Sequence, residues 1–245
     1  MIYRVEHHTA YAYAQAVSVC HNLLHLRPRE RPGQKCLTSE VAIRPIPVLL
    51  QDRLDFFGNR VTDCTVEELH RELVIEATSR IELDPAPPPD PASDCAWEEA
   101  RTALRAGRDA EALARYQMCF DSPLAAASDA LRTYALPSFP TGRPLLEAAA
   151  DLSSRIHREF AYEPGATTVS TSPDELLGLR RGVCQDFAHV AIGCLRALGL
   201  AARYVSGYLI TGRVRGDQSA PLVGADASHA WLSVWSPALD WVDLD

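Results

Sequence analysis

The run Asp84-Pro85-Ala86-Pro87-Pro88-Pro89-Asp90-Pro91 limits this chain more than any other stretch. Each proline fixes its own φ and removes a backbone donor, so a run this dense enters neither a helix interior nor a central strand. It marks a boundary, and the patterns on its two sides differ. The expected division is a β domain over 1–83, a proline-rich linker with a helical segment over 84–140, and a core over 141–245 that holds the reactive residues.

Ahead of the prolines, short period-two runs recur at Ile2–Tyr13, Val17–Leu26, Lys35–Ile46, Arg53–Phe57, Val61–Glu67 and Glu72–Leu83. Strands of this length and spacing predict an antiparallel sandwich or open barrel, with Phe57-Gly58-Asn59-Arg60 as a hairpin turn and Pro28, Pro32, Pro45 and Pro47 at strand ends. Beyond the prolines, Ser93–Met118 is rich in Ala, Glu, Leu and Arg and reads as one helix packing back on the β domain. Asp121–Tyr134 reads as a second helix. Arg143–Phe160 reads as a third, with Leu145, Leu146, Ala149, Leu152, Ile156 and Phe160 on one apolar face. The fold class is α+β.

Composition removes several functions. The 245 residues are 47% hydrophobic and 23% charged, as in an ordinary globular protein, and the net charge of −8 disfavours nucleic acid and anionic membrane surfaces as partners. No stretch approaches the roughly 20 apolar residues of a membrane span, and the start at Met1-Ile2-Tyr3-Arg4 has no signal-like apolar run, so a cytoplasmic protein is expected. The seven cysteines, at 20, 36, 64, 95, 119, 184 and 194, form no CxxC pair and are expected to be reduced. Cys20, His21 and His25 lack a fourth ligand at recognisable spacing, and His7 and His8 read as surface or packing residues, so neither a metal nor a cofactor is expected.

The stretch Gly182-Val183-Cys184-Gln185-Asp186-Phe187-Ala188-His189 is where chemistry concentrates. Ser172-Pro173-Asp174-Glu175 has the serine cap, N1 proline and returning glutamate of a helix start, and Gly182 is expected to end that helix. From Cys184 the residues Phe187, Val190, Ala191, Cys194, Leu195 and Leu198 recur at helical spacing until Gly199, which places Cys184 in a first turn. Unpaired N–H groups and the positive end of the helix dipole favour a thiolate there. The plain alternative is a small apolar residue in a core.

Further on, Ala201–Ile210 is β-rich, Thr211–Ala227 is a polar loop, and Ser228-His229-Ala230-Trp231-Leu232-Ser233-Val234-Trp235 alternates as a strand with His229, Trp231, Ser233 and Trp235 on one face. Ser236-Pro237-Ala238-Leu239 reads as a turn, and in Asp240-Trp241-Val242-Asp243-Leu244-Asp245 the residues 241, 243 and 245 share a face. Paired as a hairpin with a loop of about three residues, the two strands set His229 opposite or nearly opposite Asp245, and a slip of one residue would separate them. An imidazole held by a carboxylate is what a cysteine nucleophile requires.

These motifs, with Leu195-Arg196-Ala197-Leu198-Gly199-Leu200-Ala201-Ala202-Arg203-Tyr204-Val205-Ser206-Gly207-Tyr208, Asp226-Ala227-Ser228-His229-Ala230-Trp231 and Trp241-Val242-Asp243-Leu244-Asp245, resemble the bacterial transglutaminase-like superfamily. Residues 1 to about 83, including His7-His8-Thr9-Ala10-Tyr11-Ala12-Tyr13 and Asp55-Phe56-Phe57-Gly58-Asn59, resemble the β-rich N-terminal region that accompanies this core. The resemblance implies a papain-like, transglutaminase-like core in which the Cys helix packs on an antiparallel sheet. It implies Cys184 as nucleophile, His229 as its base and Asp245 as the third residue, with Asp243 the competitor two residues earlier. Gln185 and Tyr208 are candidate donors to an oxyanion. His189 lies about 140° round the helix from Cys184 and reads as structural. The family's last strand normally runs past that aspartate, so a truncated piece is expected. The implied activity is acyl transfer at a carboxamide or peptide bond, as a cysteine peptidase, amidase or transglutaminase acting on a protein or peptide substrate. A non-catalytic binding or scaffold module, or a zinc hydrolase, are the alternatives.

Overall fold

The structure is a computed structural model that describes residues 1–209 and 228–245, so Ile210 and the expected polar loop Thr211–Ala227 lie outside the described residues. The chain divides into two compact units, Met1–Pro88 and Pro89–Asp245, with the division inside the proline run.

Six strands build the first unit: β1 (Ile2–Val17), β2 (Cys20–Leu24), β3 (Gln34–Arg44), β4 (Leu49–Leu54), β5 (Arg60–Val66) and β6 (His70–Leu83). They form two three-stranded antiparallel sheets, β1-β6-β3 and β2-β5-β4. Leu24, Cys64 and Val66 from one sheet share a buried cluster with Ile43, Leu73 and Ile75 from the other, so the sheets face each other as a sandwich. Five strands lie close to where the period-two runs predict them. The fourth is displaced: Arg53–Phe57 is expected, whereas β4 occupies Leu49–Leu54 and is exposed along its length. The hairpin turn begins earlier than expected, because Asp55 accepts from the Phe57 and Asn59 N–H groups and closes the loop that Gly58 enters at φ +77°.

The second unit is helical and then β. The expected single helix over Ser93–Met118 is two, α1 (Trp97–Ala106) and α2 (Ala110–Gln117). Gly107 stands after the first, and the Asp109 side chain caps the second by accepting from Ala112 N–H. Trp97 and Ala100 enter the core of this unit. Of the expected Asp121–Tyr134 helix only the end forms, as α3 (Asp129–Ala135); Asp121 instead accepts from Ala127 N–H, and Ser128 caps α3. The third helix is found where expected, as α4 (Leu145–Glu159), with all six residues of its predicted apolar face buried.

The short strands β7 (Ala161–Tyr162) and β8 (Arg181–Gly182) pair in parallel around α5 (Pro173–Leu179). Ser172 and Glu175 close a capping box on α5 as predicted. Its end differs from expectation: Arg180, at φ +55°, terminates α5, and Gly182 lies in β8. Next comes α6 (Cys184–Ala197), which Gly199 closes at φ +77°. The last sheet, β11-β10-β9, is antiparallel and consists of β9 (Ala202–Gly207), β10 (His229–Ser236) and β11 (Asp240–Leu244). Val190, Cys194 and Leu195 of α6 share one buried cluster with Ala202, Leu232 and Val234 of the sheet. A cysteine-bearing helix thus packs on an antiparallel sheet.

Candidate active site

Cys184 is the first residue of α6, partly buried, where the opening N–H groups of a helix have no partner one turn back. Val183 is the N-cap residue and has no side-chain acceptor to offer. Asp186 compensates: its Oδ2 accepts from Val183 N–H at 2.8 Å and from the Thr167 hydroxyl at 2.6 Å, and the residue is 5% exposed. The same oxygen explains Gly182. A Cβ there would lie 2.6 Å from Asp186 Oδ2 and 3.0 Å from Leu176 Cδ1, so only glycine lets the strand pass so close to the helix start. Asp186 and Thr167 carry no signal in the one-dimensional pattern beyond an acid in the first turn of a helix, and sequence reasoning assigns them no part.

On the sheet, Trp235 pairs with Trp241 and Leu232 with Leu244 across a three-residue turn. Continuing that register sets Asp245 across from Trp231, with His229 one diagonal step away on the same face. The contact is made: His229 Nε2 lies 2.8 Å from Asp245 Oδ2. The imidazole is also stacked along Trp231, at 6.0 Å between ring centroids and 28° between planes. Trp231 is itself seated against Gly207, where a Cβ would meet its ring at 2.5 Å. Alternation puts His229 on the face of Trp231, whereas Leu232 and Val234 on the opposite face pack with α6. Among the described residues the hydrogen-bonded pair is His229 with Asp245, and the Cys184 sulfur makes no hydrogen bond to the ring. Asp243, the competitor for the third role, pairs with Ser233 in the register.

His189 is buried and its ring lies 5.2 Å from that of Tyr204 on β9, tilted by 36°. Burial lowers its pKa, against the pull of Asp186. The Tyr204 phenol is pushed up to about 12, first by burial and then by its electrostatic interaction with Cys184 and Asp186, so it remains a donor at any pH of interest. Tyr204 stands within the electrostatic reach of the thiol, although sequence reasoning selects Tyr208. Tyr208 follows the end of β9, with its phenol raised by burial, and Gln185 is the partly buried second residue of α6.

The other candidates disperse. His21 Nδ1 lies 2.9 Å from Thr65 Oγ1, His25 faces Asp55 at 3.8 Å, and Cys20 faces His70. Among the described residues no three His, Cys, Asp or Glu side chains converge on a metal-sized site. No helix among them is long and apolar enough to cross a membrane.

Comparison with known proteins bears on the family and the fold. Residues 3–82 match the bacterial transglutaminase-like N-terminal region, and residues 136–245 match the transglutaminase-like superfamily. The chain is 40% identical over 247 residues to an uncharacterised protein of Mycobacterium tuberculosis, covering 99% of this chain and 77% of that one. Over 105 residues it is 34% identical to a protein-glutamine gamma-glutamyltransferase of Pseudomonas aeruginosa, covering 42% of this chain and 16% of that protein. Among solved structures, a candidate cysteine protease from Cytophaga hutchinsonii superposes with a TM-score of 0.73 at 18% identity, covering 100% of this chain and 78% of that one. With the Cys helix on its antiparallel sheet and the sandwich unit ahead of it, the chain belongs to the transglutaminase-like superfamily and carries the bacterial transglutaminase-like N-terminal region.

Proposed function

We propose that this protein is a cysteine-dependent acyl-transfer enzyme that opens a carboxamide or peptide bond through a thioester on Cys184. The observation that carries the proposal is the 2.8 Å pair of His229 Nε2 and Asp245 Oδ2, on the sheet against which the Cys184 helix packs. The carboxylate holds the imidazole in one orientation, which is the role of the third member in a nucleophile-base-acid set.

In the first half-reaction the Cys184 sulfur attacks the carbonyl carbon and the carbonyl oxygen takes up the negative charge. The backbone N–H of Cys184 at the open end of α6 is one donor to that oxyanion, and Gln185, Tyr204 or Tyr208 supplies a second. The C–N bond then breaks, and the departing nitrogen takes the proton that His229 received from the thiol. In the second half-reaction His229 deprotonates water or an amine, which attacks the thioester and returns the sulfur. Water gives peptidase or amidase chemistry; an amine gives transamidation. The substrate is a protein or peptide carrying an amide. The seven free cysteines fit a reducing, cytoplasmic setting.

The test is the rate of iodoacetamide labelling at Cys184 against pH, followed at its own peptide in the native chain and in His229→Ala. The proposal expects fast labelling that persists well below the ordinary thiol pKa of about 8.5 and falls at least roughly tenfold, a modest share of what a positioned base contributes, in the variant. Slow labelling, equal in both proteins, would instead favour a binding module that retains the fold without the chemistry. Cys184→Ala would leave the function of such a module intact.

A further inference from the structure

The β unit holds a second thiol in a setting of its own. Val17, the last residue of β1, pairs with His70 of β6, and only Ser18 and Val19 separate it from Cys20 at the start of β2. That short crossing between sheets sets the Cys20 sulfur 3.7 Å from His70 Nε2. His70 is 6% exposed, and its other nitrogen, Nδ1, lies 2.5 Å from the Glu68 carbonyl oxygen. A carbonyl only accepts, so Nδ1 carries hydrogen and Nε2 is left to take or return a proton. The group in front of it is the thiol.

Two further neighbours shape the sulfur. Asn22 Nδ2 donates to it from 3.5 Å, and the Tyr13 ring stands edge-on to the imidazole at 5.6 Å. The β2–β5 register puts Cys64 on the same face as Cys20. The two cysteines differ in kind: Cys64 is 1% exposed and its thiol is pushed up by burial and by Cys20, whereas Cys20 is only partly buried. A cysteine that merely filled space would need neither a histidine of fixed tautomer nor a second donor on its sulfur. A nucleophile needs a base within reach, a third group that orients the base, and an open side.

We propose that Cys20 is a second nucleophilic thiol, activated by His70 and open to small electrophiles, hydroperoxides in particular. The Cys20 proton passes to His70 Nε2, and the Asn22 N–H supports the charge left on sulfur. The sulfur attacks the outer oxygen of the hydroperoxide, and an S–O bond forms as the O–O bond breaks. Sulfur is oxidised by two electrons to a sulfenic acid, the peroxide is reduced by the same two, and the departing oxygen takes the proton from His70 to leave as water or an alcohol.

The experiment labels the full chain with iodoacetamide near neutral pH and reads each cysteine at its own peptide. Cys36 and Cys95, also partly buried, are the references. Cys20 is expected to react at least about tenfold faster than either, well inside what a positioned base contributes, and to fall to their rate in His70→Gln with the far-UV spectrum unchanged. Hydrogen peroxide followed by dimedone is expected to leave its adduct on Cys20. A native Cys20 no faster than the references, or a rate unchanged in His70→Gln, overturns the proposal. Fast alkylation without a dimedone adduct overturns hydroperoxides as the reactant. Should His70→Gln not fold, Asn22→Ala takes its place: a several-fold fall in rate supports the proposal, and an unchanged rate overturns it. Cys184 is read at a different peptide, so its result stands apart.

Discussion

His189 lies about 1.4 turns from Cys184 on α6 and links the candidate site to pH. Burial lowers its pKa below the ordinary 6.5, Arg196 adds to the lowering, and Asp186 opposes it; the Tyr204 ring covers one face. The fold therefore favours the neutral imidazole. In the unfolded chain the ring takes up its proton near 6.5, in the folded chain only at lower pH, so between the two values the unfolded state holds more protons. The contribution to stability is complete above about pH 6.5 and is lost as pH falls through the lowered value. His189→Phe keeps a ring against Tyr204 and has no proton to bind. The drop in urea midpoint between about pH 7.5 and about pH 5.5 is expected to be smaller in the variant; an equal drop would assign the pH dependence to other groups. That His189 is turned away from Cys184 on the helix is legible from their spacing. Its contact with Tyr204 is not legible, because β9 and α6 meet only in the fold, as do Thr167 and the Asp186 carboxylate to which it donates.

Elements were legible where the pattern was one of burial and illegible where it was one of termination. The apolar face of α4 and the alternation of β6 announce themselves because each is pressed on a core. The break between α1 and α2 is a matter of one cap, and composition over Ser93–Met118 speaks only of propensity. β4 has no buried face, so it has no alternation to read. The β10–β11 hairpin was legible in register because its turn has three residues, and such turns commonly pass their last angle to a residue in the left-handed region. Here the left-handed residue is Asp240, which follows the three turn residues and opens β11, at φ +58°. Asp240→Gly and Asp240→Ala both remove the carboxylate and its 3.8 Å contact with Arg115, and differ in how well they tolerate the angle. The glycine variant is expected to be more stable than the alanine variant by about 1 kcal/mol, measured by urea denaturation. Equal stability would mean that the turn relaxes out of the left-handed region and does not fix the register that joins His229 to Asp245.

At the scale of the molecule, the proline run was the plainest sign, since its effect on the backbone needs no tertiary context. Each side of the division has a buried cluster drawn from its own residues: Leu24, Ile43, Val66 and Leu73 on one, Leu131, Leu152, Ile192 and Leu195 on the other. Every proposed participant in acyl transfer, from the Asp186 clasp and Cys184 to the His229–Asp245 pair, belongs to Pro89–Asp245. So do the helices α1 to α3, whose Trp97 and Leu131 enter the core that supports α6. A piece cut at the edge of the family match, near residue 136, would lose those supports, whereas one cut in the proline run keeps them. Residues 89–245 expressed alone are therefore expected to unfold cooperatively and to label at Cys184 within about twofold of the full chain, the spread expected of a site whose surroundings are intact. Residues 136–245 alone are expected to lack near-UV signal and to label all their cysteines alike. A fragment 89–245 that folds but labels Cys184 slowly would mean that the β unit takes part in shaping the reactive thiol.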